Sequence, residues 1–268
     1  MWKLKDVLKG KDTEKDHYEI YNSFREKERM RHFKMCFRNA FGKFWQKCPN
    51  GLYVLLFPRY SALTPLGRKS GKLKIMKKGD RWLIQRQEMT LLSPTPKFVY
   101  FSFKRFDDKF ERFFKIERGE TVLDVGACIG DTTFPMAVKV GVDGFVIAVE
   151  PHPINIECLK SNLASFRNVE VVEKAVWNTP GVVRFYVAKT PTGHSILEHP
   201  ERDRYTEVSC DTLDNIVGDR KIDFAKIDVQ GAEVQVLEGG ARFLRTTRKL
   251  VVETHDHYDE KRGHFRKL

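Results

Sequence analysis

The sequence predicts an α/β fold, a parallel sheet with helices on both faces, preceded by a basic α+β extension. From residue 121 onward, short runs rich in Val and Ile alternate with helical runs, which is typical of parallel strands buried on both faces. Before that point the chain has β-like runs and helical stretches without this alternation. We therefore expect an N-terminal extension over residues 1–104 and an α/β domain over residues 105–268.

The elements of the α/β domain can be placed in order. Helical runs separate the strand-like runs TVLDV, FVIAVE, VEVVEKAV, FAKIDV and KLVVETH. Two further runs, GVVRFYVAK and TEVSCDTL, lie between the third and fourth parallel strands and predict strands inserted there. Ahead of the first strand, FDDKFERFFKIERGE predicts a helix whose phenylalanines share one side: Phe106, Phe110, Phe113 and Phe114.

The extension is predicted to begin with an amphipathic helix over residues 12–48 and to continue with a β-hairpin around KKGD. Aromatic residues recur every three or four positions in the helix, and Lys and Arg fill much of the remainder. Such a helix either packs on the domain through its aromatic stripe or lies on RNA or a membrane surface.

The positive charge of the chain is concentrated in its front half. The net charge is +12, and residues 1–110 hold 26 Lys and Arg against 11 Asp and Glu. The remaining residues hold 22 against 25. This asymmetry suggests an anionic partner such as nucleic acid, a phosphorylated substrate or an acidic surface, or else a solvated basic face.

Several classes of protein are disfavoured. The longest apolar runs reach roughly seven residues, whereas a membrane helix needs about 20. The start of the chain lacks a signal-peptide core, and the five cysteines are scattered without a C-x-x-C pair. We therefore expect a cytoplasmic protein without a membrane span, a metal site or a disulfide framework, and nothing indicates an obligate protein partner.

The run VLDVGACIGDTT, residues 122–133, predicts a ligand loop between the first strand and the first helix. Asp124 precedes a loop from Gly126 to Gly130, and the middle glycine of a dinucleotide motif is missing. A carboxylate at this position disfavours a pyrophosphate and favours a positively charged ligand such as S-adenosylmethionine, which carries a sulfonium and an ammonium group.

Two more strand ends contribute to the expected ligand site. Glu150 ends the second strand in VIAVEPHP, where an acid accepts hydrogen bonds from the ribose hydroxyls of an adenosine. The third strand is expected to end at Lys174, Ala175 and Val176, beside the adenine.

The segments VLDVGACIGDTT, VIAVEPHP, VVEKAVWN, GHSIL, CDTLD, FAKIDVQGAEVQVLEGG and VVETHD occur in this order. Together they resemble the FkbM-type family of S-adenosylmethionine-dependent methyltransferases over about residues 105–256. The glycine loop alone would indicate only a class I methyltransferase. The segment KIDVQGAEVQVLEGG is much more specific.

The resemblance implies a Rossmann-like class I methyltransferase fold with S-adenosyl-L-methionine as methyl donor. It also implies an oxygen acceptor, usually a hydroxyl on a sugar or small metabolite. By motif, the glycine loop would hold the methionine end of the donor, and Asp228 would face the reacting methyl group. The expected donor-binding set is Asp124, Gly126, Ala127, Cys128, Gly130, Glu150, Pro151, Ala175 and Asp228.

Two features depart from the family pattern. Gln230 stands in DVQGAE where the family commonly has an acid, and an amide cannot take up a proton. In addition, the fold normally adds two strands after the fifth, and too few residues follow KLVVETH here for both. We expect that the C-terminal strands are missing through truncation.

A hydroxyl acceptor also needs a base. We predict Asp228 and His255 as the acid–base pair, with Glu253 orienting the histidine; alternatively, His255 belongs to a polar surface loop. Gln230 is expected to contact the acceptor, while Glu233 is expected to anchor the following helix rather than react.

The loop TPTGHSIL supplies two further acceptor contacts, His194 and Ser195. A small hydroxyl-bearing molecule is the expected acceptor. Three alternatives remain open: a methyltransferase that binds RNA through its basic extension, a nucleotide-dependent oxidoreductase, and a binding protein that keeps the fold without turnover.

Overall fold

The computed structural model describes residues 73–86, 88–98, 106–107, 109–111, 114–188, 193–198 and 204–255. Its strands are β1 (Leu73–Lys78), β2 (Arg81–Arg86), β3 (Met89–Ser93), β4 (Thr121–Val125), β5 (Phe145–Val149), β6 (Val169–Val172), β7 (Ala175–Val176), β8 (Gly181–Val187), β9 (Arg204–Asp211), β10 (Phe224–Ile227) and β11 (Lys249–Val252). Its helices are α1 (Thr133–Val140), α2 (Pro153–Leu163), α3 (Leu213–Val217), α4 (Glu233–Glu238) and α5 (Ala241–Thr246).

The centre of the fold is a five-stranded sheet in the order β11-β10-β4-β5-β6, in which every neighbouring pair is parallel. This confirms the parallel sheet that the sequence predicts. Strands β4 and β5 lie in the middle, so the loops that follow them meet at one edge of the sheet. Within the described part of the chain, none of the helices has the length and apolar character that a membrane span requires.

Successive side chains of the central strands point to opposite faces, and helices cover both. On one face, Val122 and Val146 pack with Met136 of α1. On the other face, Leu123 packs with residues of α3, α4 and α5: Ile216, Val236 and Phe243. The prediction of helices on both faces is therefore confirmed.

The helical run AEVQVLEGGARFLR forms two helices, because two glycines interrupt it. Gly239 ends α4, and a side chain there would lie 2.5 Å from the backbone oxygen of Trp177. Only glycine therefore allows this close approach to the loop after β7. The break turns α5 onto the sheet, where Phe243 is buried.

Strands β1, β2 and β3 form a separate antiparallel sheet. The turn between β1 and β2 is at KKGD, as predicted, and Gly79 in this turn has left-handed backbone angles. Asn162 of α2 joins this sheet to the glycine loop. Its Oδ1 accepts the Leu92 N–H at 2.6 Å, and its Nδ2 donates to the Leu92 and Ile129 carbonyls at 3.0 and 2.7 Å.

The two predicted inserted strands are present as β8 and β9. They pair antiparallel and join β7 in a third sheet. The prediction that Ala175 ends the third parallel strand is wrong. The parallel strand stops at Val172, and Ala175 pairs with Cys210 of β9. Its side chain is buried with Phe185 and Val208, and its expected place beside the adenine stays a prediction.

The helix predicted around Phe106 is shorter than expected. Phe106 and Phe110 are buried with ring centroids 5.6 Å apart, but residues 114–120 are not helical and Phe114 is exposed. The Glu111 carboxylate accepts the Ile116 N–H at 2.8 Å, so a side chain satisfies this donor in place of an intrahelical bond. The predicted helix over residues 12–48 lies outside the described residues, and the boundary between residues 104 and 105 stays a prediction.

We expect Asn162→Ala to lower the free energy of unfolding by about 2–4 kcal/mol, because it leaves the Leu92 and Ile129 backbone groups without their partner. Urea denaturation measures the change. Ser161→Ala, at an exposed position of the same helix, is the matched control and should change stability by less than about 0.5 kcal/mol. Equal stability of the two variants would contradict the bridging role of Asn162.

Candidate active site

The glycine loop is held tightly against the edge of the sheet. The backbone N–H groups of Gly126 and Ala127 both donate to the Val149 carbonyl at 3.0 Å. Gly126 has φ +79°, and a Cβ there would lie 2.0 Å from the backbone oxygen of Asp228. Only glycine fits, and the loop after β4 therefore touches the loop after β10 directly.

A buried ion pair lies beneath this loop. Lys226 and Asp124 are register partners on β10 and β4, and the lysine Nζ lies 3.0 Å from the aspartate Oδ1. Their side chains are 2% and 0% exposed. The lysine also donates to the Gly126 carbonyl at 3.0 Å, while Thr132 and Thr133 donate to the other aspartate oxygen at 2.7 and 2.8 Å.

This pairing corrects the electrostatic prediction for Asp124. Its carboxylate does not offer an uncompensated negative charge to a donor, because Lys226 neutralises it at close range. Burial opposes the charged lysine, but the charges of Asp124 and Asp228 outweigh it and raise the pKa of Lys226. Asp124 and Lys226 therefore hold the loop in place.

Glu150 occupies the end of β5 and faces the same loop. Its carboxylate accepts the Cys128 N–H at 2.9 Å, the His152 N–H at 3.0 Å and the Asn155 Nδ2 at 3.2 Å. A carboxylate offers about four acceptor positions, so the three bonds leave capacity for a further donor such as a hydroxyl. Burial raises its pKa from 4.5 to about 7, although these hydrogen bonds oppose the shift.

The other expected donor-binding residues lie in or beside the loop. The Ala127 side chain is buried in the core with Ala148 and Leu159, so only its backbone belongs to the loop surface. Cys128 has φ +52°, and its backbone N–H is the group that Glu150 binds. Gly130 and Pro151 flank the loop at the start of α1 and the start of α2, respectively.

A polar cluster adjoins the glycine loop at the end of β10. The Gln230 amide nitrogen donates to Asp228 Oδ1 at 2.7 Å and lies 2.9 Å from His255 Nε2. His255 Nε2 is itself 3.8 Å from Asp228 Oδ1. The structure therefore brings the predicted pair Asp228 and His255 together. Gln230 lies between them and contacts both.

Two further carboxylates complete this cluster. Glu253 hydrogen-bonds to Asp228 and forms a close ion pair with Lys109. Glu233, whose side chain is fully buried, accepts from Gly231 N–H at 3.0 Å and lies 2.9 Å from His255 Nδ1. The carboxylate that contacts the histidine is thus Glu233, so the prediction that Glu253 orients His255 is wrong.

The role of Glu233 is only partly predictable. Its bond to Gly231 N–H fits the expected anchoring of α4. Its contact with His255 requires the left-handed turn at Gln230 and Gly231, with φ +59° and +110°, which brings residues 22 positions apart in sequence together. The glycine in DVQGAE signals the turn but not the partner.

Burial and the charges of the cluster shift the pKa values of three of its titratable groups in different directions. Burial lowers the pKa of His255, but the hydrogen bond to Glu233 and the nearby carboxylates outweigh it, so the pKa is raised. Burial and the charge of Asp228 raise the pKa of Glu253. Burial opposes ionisation of Asp228, yet Lys226 and its other partners lower its pKa overall.

The two expected contacts from the inserted loop lie at this edge of the sheet as well. Ser195 is buried, and its Oγ lies 3.5 Å from the Val229 carbonyl, next to Gln230. The His194 ring is 4.3 Å from the His152 ring, just after Glu150, and its Nδ1 accepts the Ala188 N–H at 2.9 Å. This loop therefore spans from the glycine-loop side to the Asp228 side.

Comparison with known proteins identifies the family. The model of the FkbM methyltransferase domain matches residues 124–268, more than half of the chain. This chain belongs to the FkbM methyltransferase family. The resemblance of its motifs is thereby confirmed, and the match begins at Asp124, the first site residue of β4.

Two curated relatives are similar over part of their length. A protein named as a methyltransferase from Jannaschia sp. (strain CCS1) is 28% identical over 160 residues, covering 52% of this chain and 57% of the relative. A protein named as ribosomal RNA small subunit methyltransferase A from Methanosphaera stadtmanae is 32% identical over 99 residues, covering 32% of this chain and 34% of the relative. The matches thus span less than two thirds of the length of each relative.

Solved structures show weaker similarity. Fibrillarin from Aeropyrum pernix, with natively bound S-adenosyl-L-methionine, is 11% identical with a TM-score of 0.37, covering 68% of this chain and 78% of its own. An S-adenosylmethionine-dependent methyltransferase from Aquifex aeolicus is 18% identical with a TM-score of 0.31, covering 53% and 62%.

We expect Lys226→Met to lower the free energy of unfolding by about 3–5 kcal/mol, because it leaves the Asp124 carboxylate buried without its cation. Urea denaturation measures the change. Adding Asp124→Asn should restore part of the loss. The control is Lys160→Met at an exposed ion pair with Glu173, which should cost less than about 1 kcal/mol. A Lys226→Met protein as stable as this control would contradict the role of the buried pair.

We expect Glu150→Gln to change how stability depends on pH. The folded protein holds the Glu150 proton more tightly than the unfolded chain, so its contribution to stability is lost as pH rises from 4.5 through about 7. Relative to wild type, the variant should gain up to about 3 kcal/mol over that interval. Urea denaturation at a series of pH values tests this, and a difference that stays constant with pH would contradict it.

Proposed function

We propose that this FkbM-family chain catalyses methyl transfer from S-adenosyl-L-methionine to a hydroxyl oxygen of a sugar or small metabolite. One observation supports this above the others. The glycine loop and the Asp228 cluster meet through the close contact of Gly126 with the Asp228 backbone. A donor in the loop would therefore lie beside groups that can accept a proton from a hydroxyl.

The residues at the loop fit such a donor. The bend at Gly126 lets backbone approach a ligand closely, and Glu150 keeps acceptor capacity for ribose hydroxyls. When bound, the donor supplies a methyl group on a positively charged sulfur. We assign its methionine end to the loop from Gly126 to Gly130 and its ribose to Glu150. Lys226 and Asp124 keep the loop in place.

The neighbouring cluster fits the demands of a hydroxyl acceptor. A neutral hydroxyl is a poor nucleophile, so a base must take its proton as the new bond forms. His255 and Asp228 are the candidates, and both are mostly buried, with side-chain exposures of 15% and 18%. Gln230 contacts both and cannot take the proton itself. We assign Gln230, His194 and Ser195 to positioning the acceptor.

Calorimetry with S-adenosylmethionine and with its demethylated product tests the donor assignment. Glu150→Ala should weaken binding of both by at least about tenfold, because it removes the ribose acceptor, while Lys160→Met should bind as wild type. Incubation with a metabolite extract and isotope-labelled donor then tests transfer, and mass spectrometry should find a labelled methyl ether. Absence of donor binding would overturn the proposal, and a labelled N-methyl product would overturn its oxygen acceptor.

RNA methylation is a second candidate. It is favoured by the net charge of +15 over residues 1–110 and by the relative named as a ribosomal RNA methyltransferase. RNA binding through phosphates would weaken steeply as salt rises. Labelled methyl groups in RNA, with salt-dependent RNA binding, would favour this candidate over a small acceptor.

A further inference from the structure

We infer that Glu233 is a positioning residue that fixes the tautomer of His255 and makes its Nε2 the proton acceptor in the transfer. The proton transfer to Nε2 rests on the proposed function. The tautomer rests on the 2.9 Å contact between Glu233 and His255 Nδ1. Glu233 itself is fully buried at the start of α4 and does not need to touch a substrate.

The tautomer follows from the chemistry of the partners. An ionised carboxylate only accepts hydrogen bonds, so the hydrogen between Glu233 and His255 sits on Nδ1. In the neutral ring, Nε2 then carries a lone pair. The Gln230 amide nitrogen, 2.9 Å away, donates to that lone pair with one hydrogen and to Asp228 with the other. Both ring nitrogens of His255 and the Oε1 atom of Glu233 thereby have hydrogen-bond partners.

The position of Glu233 is itself fixed. The carboxylate oxygen that contacts the imidazole also accepts the Gly231 N–H at 3.0 Å. The backbone at Gln230 and Gly231 has positive φ, so the same turn sets the direction of the Gln230 amide and of the Glu233 carboxylate. The ring of His255 is held between these two side chains, which come from one four-residue stretch of chain.

The proton and the electrons balance in this arrangement. The acceptor hydroxyl replaces the Gln230 amide hydrogen at His255 Nε2 and transfers its proton there. Its oxygen lone pair forms the bond to the methyl carbon, while the carbon–sulfur bond breaks and leaves its electron pair on the sulfur. The imidazolium that results lies against the Glu233 carboxylate, which stabilises it more than it stabilises the neutral ring.

Other ionisable groups near His255 share its environment. Asp228 and Glu253 add negative charge, and Lys109 partly offsets Glu253 through its ion pair. These groups remain in place when Glu233 is changed. Asp228 lies 3.8 Å from Nε2 and favours a proton there, whereas Glu233 contacts Nδ1 at the shorter distance of 2.9 Å and favours the proton on Nδ1.

The tautomer can be tested without any variant. Nitrogen-15 NMR of the wild-type imidazole, above its pKa, should show a protonated Nδ1 and an unprotonated Nε2. A ring protonated at Nε2 would overturn the inference, whether or not an acceptor has been identified. This readout is independent of methyl transfer, so it separates failure of the inference from failure of the proposed function.

Glu233→Gln tests the catalytic part. The amide oxygen can still accept from Gly231 and His255, but the charge is lost, so the pKa of His255 should fall by about one unit and Nε2 should be a weaker base. The acid limb of kcat/KM should move to lower pH by the same amount, and the plateau should fall by about tenfold or more. In a His255→Gln background, Glu233→Gln should have no further effect on the profile.

Glu111→Gln is the matched control, because Glu111 is also a buried carboxylate bound to a backbone N–H and lies outside the His255 contact. It should lower stability without moving the acid limb. An unmoved acid limb in a folded Glu233→Gln protein would overturn the positioning role. Should that variant not fold, Glu233→Asp is the substitute, because it keeps the charge at a greater distance. Its acid limb should move to lower pH by a smaller amount, and an unmoved acid limb would equally overturn the role.

Discussion

The site depends on the buried ion pair between Lys226 and Asp124. Removing two charges from water is costly, and the cost is offset only when the geometry is close and the remaining hydrogen-bonding groups are satisfied. Here the lysine also binds the Gly126 carbonyl, and two threonine hydroxyls bind the aspartate. One interaction therefore fixes two neighbouring strands and the loop that follows one of them.

The polar cluster around Asp228 is positioned by this pair. Asp228 follows Lys226 by two residues, and its backbone is in contact with Gly126. Because the pair is nearly neutral as a unit, the negative charge at this edge of the sheet comes instead from the cluster of Asp228, Glu233 and Glu253, in which Asp228 and Glu253 share a hydrogen bond. The charged part of the site thus lies beside the loop rather than beneath it.

The contacts of Gln230 explain why an amide suits this position better than a carboxylate. A glutamate at this position would lie within hydrogen-bonding distance of Asp228, where two negative charges repel each other. An amide nitrogen can instead donate to an aspartate oxygen and to a histidine nitrogen at once. The amide therefore adds no further negative charge beside Asp228, which already shares a hydrogen bond with Glu253.

Local sequence patterns determined the fold class and the strands that carry Asp124 and Glu150 to one edge of the sheet, because strand periodicity and glycine bends are short-range properties. Partners across the sheet were decided only by the tertiary structure. Lys226 reads as a strand residue, and Glu233 reads as a helix anchor, until register and turn geometry bring them to Asp124 and His255. Likewise, Ala175 lies at the end of an apolar run, but pairing with β9 removed it from the parallel sheet. Charge compensation depends on distances between residues far apart in the chain, and a linear pattern does not contain those distances.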